Sequence, residues 1–375
     1  MAQSVRILHN RRNSAPPIVL IDFPAHDHLT STEISPSMNI VIAASEAVPF
    51  AKTGGLADVT TALAKALQDL GHQVSLFLPY YPQIQTRGPA ASFAVESTGH
   101  DVTIVLGNKQ RTGRVLRTSL PDSSLDVYLI DQPLFYDRRE LYRENDVDYQ
   151  DNCQRFIFFS RAVLEASRLL DLRPDVIHAN DWQTGLIPAL LKLEYHQQPE
   201  FAQTASVITI HNLAFQGQFW HWDMTLTGLD WKHFNWQEME FYGHLNLLKT
   251  GIVFSDYVTT VSPTYAREIQ TEENGAGLDS VLRHRGEHLV GILNGVDMSQ
   301  WNPQTDPHLA KNYGPDDFAA GKAACKAALQ DRMQLPQRET VPLLGMVSRM
   351  ADQKGFDIIA GCIDQVLDED VQLVF

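Results

Sequence analysis

A few short stretches of this chain carry residue types that can do chemistry. Lys52-Thr53-Gly54-Gly55 sits between an apolar run and a helical pattern. Glycines at such a junction let backbone N–H groups approach an oxyanion, the helix N-terminus adds partial positive charge, and Lys52 supplies a full one. Taken alone, a Gly-Gly pair makes an ordinary tight turn equally well. Arg349 and Lys354, five residues apart across a second strand-to-helix loop, offer a bidentate fork and a point charge to an anionic group. Such a pair in isolation is more often solvated surface. Asp181 and His211 each follow an apolar run, at the strand ends where open α/β sheets bind ligands. A carboxylate there can hold a hydroxyl, and an imidazole can hydrogen-bond one. The competing assignments are an N-cap for the helix that begins near Thr184 and a structural histidine. Asn294-Gly295 is a turn by composition.

The elements that must position these residues are legible as alternating patterns. Asn39–Ala44 is a continuous apolar run, as expected of a strand covered on both faces. Leu56, Val59, Leu63, Ala66, Leu67 and Leu70 then repeat with helical period, and Gly71 stops the helix. Further strand-like runs fall at 74–78, 127–130, 176–178, 206–210, 257–261 and 289–292, with helices expected at 153–170 and 184–196. Strand–helix alternation of this kind predicts an α/β fold built on a doubly wound parallel sheet. Residues 1–37 are polar, contain Pro and Ser, and read as a flexible leader, with Met38 as a candidate natural start. Residues 38–297 form the first domain, and 298–340, rich in Pro, Asp and Gln, form a linker with a helix at 317–332. A strand, a helix at 354–367 and a last strand at 371–375 begin a second domain. Thirty-five residues cannot close a core of their own, so 341–375 is expected to be the start of a truncated domain. The aromatic-rich stretch 215–242 is expected to serve core or inter-domain packing rather than sugar stacking.

Thirty basic against 45 acidic side chains leave a formal net charge of -15, a field that argues against nucleic acid and anionic membrane as partners. Any site for an anion must therefore gather positive charge locally. Cys153, Cys325 and Cys362 have neither metal-ligand nor redox spacing, as suits a reducing cytoplasm. No apolar run approaches the ~18 residues needed to span a bilayer.

Six motifs in order resemble the bacterial glycogen synthase and plant starch synthase family. They are Ile40–Val59 with its Lys52-Thr53-Gly54-Gly55-Leu56-Ala57-Asp58 core, Arg173–Trp182, Thr209–Gly217, Thr260–Ile269, Gly291–Asp297 and Val347–Gly355. The resemblance covers residues 38–375 almost continuously. It implies a GT-B architecture of two Rossmann-like domains facing a cleft, and retaining transfer of glucose from ADP-glucose to the non-reducing end of an α-1,4-glucan. It implies no cofactor and no metal, so cationic side chains must stabilise the departing diphosphate. Arg349, Lys354, His211 and Asp181 become the catalytic candidates. Lys52, Gly54, Gly55 and Asn294 become the ADP-glucose-binding ones, Asn294 near the donor sugar.

Two departures flank Asp181. Asn180 stands where many bacterial members have a second histidine, and Gln183 where a histidine is common. Both are expected to retune glucan-side contacts without changing the reaction class. The family's second Gly-Gly-Leu loop, its C-terminal Glu-bearing segment and its nucleobase pocket have no counterpart in 1–375, so little turnover is expected of this chain alone. A non-catalytic glucan-binding role and a sucrose- or trehalose-type transferase are the alternatives. A nicotinamide dehydrogenase is disfavoured because no G-x-G-x-x-G follows the first strand.

Overall fold

The computed structural model describes residues 6–7, 19–20, 37–86, 94–121, 123–298, 301–350 and 352–375. The expected leader lies outside the described residues apart from Ser37 and the dipeptides Arg6–Ile7 and Val19–Leu20, which pair antiparallel. The elements that matter for the site are, in chain order, β1 (Asn39–Ala43), α1 (Gly55–Asp69), β2 (Gln73–Pro79), β3 (Glu96–Leu106), β4 (Lys109–Ser119), β5 (Asp126–Asp131) and α2 (Asn152–Leu169). Then come β6 (Val176–Asn180), α3 (Leu186–Leu190), β7 (Ala205–Ile210), β8 (Gln218–Trp220), β9 (Glu240–Phe241), β10 (His244–Asn246) and α4 (Leu247–Phe254). The last are β11 (Tyr257–Thr260), α5 (Pro263–Glu268), α6 (Asp279–Arg285), β12 (Leu289–Gly291), α7 (Phe318–Arg332), β13 (Leu343–Gly345), α8 (Phe356–Leu367) and β14 (Gln372–Val374).

The main sheet has the order β12-β11-β7-β6-β1-β2-β5-β4-β3. The expected doubly wound parallel sheet runs from β12 to β5, and β4 and β3 extend it as an antiparallel hairpin. The hairpin escapes the reading above because its strands bury one face only and so lack a continuous apolar run. Its signal is the Gly107-Asn108 loop with φ +60 at the glycine, a two-residue connection typical of hairpins.

The apolar run of β1 is explained by layers on both sides. Ile40 and Ile42 join the core beneath α1, with Leu76, Leu78, Val127 and Leu129. Val41 and Ala43 join the larger core beneath α2 and α3, with Phe77, Ile130, Phe156 and Ile187. Each such aliphatic side chain contributes about 2 kcal/mol by leaving water, which fixes the register of the strand. The helix expected at 184–196 is broken into a 3-10 turn (Trp182–Thr184), α3 and a π turn (Leu191–Tyr195). At its start Gly185 lies against α4, so closely that an added Cβ would sit 2.1 Å from the Leu247 carbonyl oxygen.

Residues 341–375 form a two-stranded parallel sheet of β13 and β14 with α8, joined to α7 through a hydrogen bond from Gln330 Nε2 to Gln372 Oε1 of 2.7 Å. No helix among the described residues is long and apolar enough to cross a membrane.

Gly185→Ala is expected to cost about 3 kcal/mol, because neither the α4 backbone nor the Trp182 turn can retreat without opening the core under the site. Urea unfolding should show a lower midpoint with unchanged slope, and an unchanged midpoint would refute this packing.

Candidate functional site

In the sheet order, β1 lies between strands that follow it in the chain on both sides, β2 on one edge and β6 on the other. That reversal of winding leaves a crevice at the carboxyl ends of β1, β6 and β7, the position where open α/β sheets accept ligands.

Beyond the end of β1, Glu46 is 3 % exposed. Its carboxylate accepts the Thr53 N–H (2.5 Å), the Thr53 hydroxyl (2.6 Å), the Gly54 N–H (3.2 Å) and the Tyr142 hydroxyl (2.7 Å). The Tyr142 oxygen also lies 2.7 Å from Ser45 Oγ. Charge-assisted bonds of this type contribute about 1.5–3 kcal/mol each, so one side chain holds the Gly-Gly loop in place. The N–H groups of residues 53 and 54, expected to face an external oxyanion, thus already have an anionic partner inside the chain. Open space remains at Gly54 and Gly55, where an added Cβ would meet nothing within 4 Å. Lys52 reaches Asp58 at 2.7 Å in a half-exposed pair, worth about 1 kcal/mol or less and readily exchanged for a stronger anion.

Asp181, after β6, has φ +55 and ψ -170, a region that side-chain-bearing residues seldom occupy and that commonly marks functional sites. Its Oδ1 accepts the His211 N–H at 2.8 Å, which ties the end of β6 to the end of β7. Burial pushes its carboxyl up to about 7, while the backbone N–H groups of His211 and Asn212 pull it down and Glu46 pushes it up further. The side chain makes no cap for the 3-10 turn that follows, so the capping assignment does not hold.

His211 is held by Asn180. The Asn180 Nδ2 faces two carbonyls, Ala43 O at 3.1 Å and His178 O at 3.4 Å, which fixes the orientation of the amide. Its Oδ1 therefore meets His211 Nε2 at 2.9 Å as an acceptor. Burial, and then His178, lower the His211 pKa to about 4, so near pH 7 the ring is neutral with its proton on Nε2. Nδ1 is left as a hydrogen-bond acceptor. Beneath it, His178 Nε2 lies 2.6 Å from Thr209 Oγ1, which lies 2.6 Å from Thr259 Oγ1. Burial lowers His178 to about 4 as well.

The floor of the crevice is Trp182, packed edge-on against Phe156 at 4.9 Å and against Phe219 at 5.6 Å. Gly217 is required there: its φ is +61 and an added Cβ would stand 2.5 Å from the indole.

The structure brings Lys52, Gly54, Gly55, Asp181 and His211 to one end of the sheet. Asn294 is exposed in the loop after β12. The neighbouring Gly295, Val296 and Asp297 face α1 residues Asp58, Val59 and Ala62 across a cavity of about 380 Å³. Arg349 and Lys354 are exposed, and neither side chain makes a hydrogen bond or ion pair with another described residue. Their loop touches the site through Asn212 Nδ2, which donates to Gln353 Oε1 at 3.0 Å. Sequence reasoning missed Glu46 and Tyr142 and placed Asn180 only as a neighbour. An acidic residue directly after a buried strand was the available signal for Glu46; nothing local marks Tyr142, 96 residues away.

Residues 39–284 match a family described as the starch synthase catalytic domain. Glycogen synthase of Rhodopirellula baltica is 44 % identical over 341 residues, 88 % of this chain and 66 % of that protein. Glycogen synthase 1 of Geobacter sulfurreducens is 44 % identical over 339 residues, 90 % of this chain and 66 % of its own length. Among solved structures, the catalytic domain of starch synthase IV from Arabidopsis thaliana, bound to ADP and acarbose, superposes with a TM-score of 0.80 at 33 % identity. That match covers 90 % of this chain and 68 % of the other. The chain thus spans about two thirds of the length of these relatives.

Two titrations follow from the geometry. The His211 imidazole should titrate near 4 by NMR; in Asn180→Asp a carboxylate replaces the amide, and the midpoint should rise by at least about one pH unit. An unmoved midpoint would mean that Asn180 does not contact the ring. Asp181, raised when folded, favours folding at low pH, and that contribution is lost as pH rises from about 4 through 7. His178 and His211, lowered when folded, contribute in the opposite sense, with stability present above about 6.5 and lost as pH falls toward 4. Asp181→Asn keeps the acceptor for the His211 N–H and removes the carboxyl. Relative to the native chain it should therefore gain about 2 kcal/mol between pH 5 and 8 in paired urea titrations. A difference independent of pH would show that Asp181 is not desolvated.

Proposed function

The chain belongs to the family of bacterial glycogen synthases and plant starch synthases, glycosyltransferases of GT-B fold, and on that premise we propose that it supplies the acceptor side of a retaining glucosyl transfer from ADP-glucose to an α-1,4-glucan. The observation that carries this reading is the junction of three strand ends, where the Glu46-held glycine loop, the strained Asp181 and the neutral His211 meet in one crevice. Residues 38–297 are assigned to the acceptor-side domain, 298–340 to the linker and 341–375 to the start of the donor-side domain.

In the reaction, the bond between glucose C1 and the β-phosphate oxygen of ADP breaks. A bond from C1 to the terminal O4 of the glucan forms with the same anomeric configuration, and the O4 proton is released along with ADP. Asp181 and the Nδ1 acceptor of His211 suit glucose hydroxyls, which are donors. Lys52 and the open space beside Gly54 and Gly55 suit the diphosphate from one wall. Arg349 and Lys354, cationic and unpaired among the described residues, suit it from the other, where they offset charge on the leaving group in place of a metal or cofactor. Asn294 is assigned to the donor sugar. ADP and acarbose bound to the Arabidopsis relative support an adenine nucleotide and an oligosaccharide as the ligand pair. Glycogen synthesis in the cytoplasm is the setting this chemistry fits.

The test follows labelled glucose from ADP-glucose into glycogen, alongside co-sedimentation of the chain with the polymer. Binding to glycogen and slow incorporation into β-amylase-sensitive ends are expected, with a loss of about 10²-fold in Arg349→Ala or His211→Ala. Binding without any incorporation would replace transfer by a glucan-binding role, and equal use of UDP-glucose would refute the donor assignment.

A further inference from the structure

In the aromatic stretch that follows β7, Phe219, Phe234 and Phe241 pack on the core as expected, and the indoles do not. Trp220, Trp222 and Trp231 are 61 %, 53 % and 42 % exposed. Their rings form a continuous surface: Trp220 and Trp222 lie 6.4 Å apart, Trp222 and Trp231 lie 5.4 Å apart with planes 34° from parallel, and Phe234 continues it 5.2 Å from Trp231. His221 fills the angle between the first two, 5.4 Å from each. Large contiguous apolar patches on a surface mark a binding partner.

The composition of the patch selects the partner. Among the described residues, every large apolar side chain exposed between 200 and 285 is aromatic. From 342 onward the exposed ones are chiefly aliphatic, such as Leu344, Val347, Met350 and Ile358, the kind of surface that packs against another protein layer. Flat faces with polar N–H edges suit instead a ligand that presents C–H faces rimmed by hydroxyls. Such a ligand is also uncharged, which matches a chain of net charge -15. The patch is continuous with the crevice: in β8, Phe219 packs on Trp182 beneath Asp181, and the next residue, Trp220, turns outward.

We propose that Trp220, Trp222 and Trp231 form a stacking platform for a neutral α-glucan, which holds a length of polymer outside the crevice that receives its end. This rests on the glucan reading above. Electrophoresis in native gels containing glycogen tests it. Trp222→Ala/Trp231→Ala should bind glycogen about tenfold more weakly than the native chain, since each ring offers a sequence-independent stacking face. Trp222→Phe/Trp231→Phe should retain binding, and Trp236→Ala, exposed but outside the ring contacts, should change nothing. In addition, maltoheptaose should saturably shift the tryptophan emission of the native chain, and that shift should fall by more than half in the double Phe variant, which keeps only Trp220 of the platform indoles, although binding persists. Native-like retention of the folded double Ala variant, or an emission shift unchanged in the double Phe variant, would overturn the platform alone. Loss of self-association with unchanged glycogen binding would assign the patch to a second copy of the chain and likewise overturn it. A native chain that ignores glycogen altogether would remove the glucan reading and the platform together.

Discussion

The hydrogen bonds gathered on the Glu46 carboxylate hold the loop that closes the carboxyl end of the sheet, and the arrangement of the candidate site depends on them. Buried at the end of β1, the carboxylate accepts two backbone N–H groups and a hydroxyl from the glycine loop and a second hydroxyl from Tyr142. A carboxylate taken out of water costs several kcal/mol unless its lone pairs are filled, and four donors fill them. The start of α1, the placement of Lys52 and the shape of the crevice follow from that arrangement. The loop is thus preorganised by an internal anion, which leaves its outer face for an external one.

The second constraint is that the crevice is dry enough to move titrations in opposite directions. Burial disfavours charge, so it raises a carboxyl and lowers an imidazole. Asp181 and His211 therefore both tend toward neutrality near pH 7, although 30 residues separate them. Asn180 suits this setting. A neutral amide, its orientation fixed by two carbonyls, sets the tautomer of His211 without adding charge.

Exposed apolar surface divides by chemistry along the chain. The aliphatic side chains of 341–375 remain open because β13, β14 and α8 cover one another only in part. The indoles of 220–231 are open for a different reason. Trp220 is the outward residue at the end of β8, Trp222 and Trp231 stand in 3-10 turns beyond it (His221–Asp223 and Trp231–His233), and among the described residues no layer covers them. Hydrophobic content could not separate the two cases, since Trp scores as core material in either.

The sequence by itself determined the strands from β1 to β12 that carry continuous apolar runs, the helices α1, α2, α7 and α8, and the strand ends where Lys52, Gly54, Asp181 and His211 stand. Those features are local: a period of 3.6 or a run of β-branched residues reports burial within a window of a dozen residues. Tertiary structure alone decided that Tyr142 joins the glycine loop on the Glu46 carboxylate, that Asn180 rather than Asp181 holds the imidazole, and that five of the six tryptophans face water. It also decided that, among the described residues, the loop carrying Arg349 and Lys354 meets the end of β7 through Gln353 and Asn212. Each of these is a pairing across 31 to 141 residues, or a choice of which side chains face water. The energy that selects it comes from desolvation and packing summed over the whole sheet, and no local pattern encodes such a sum.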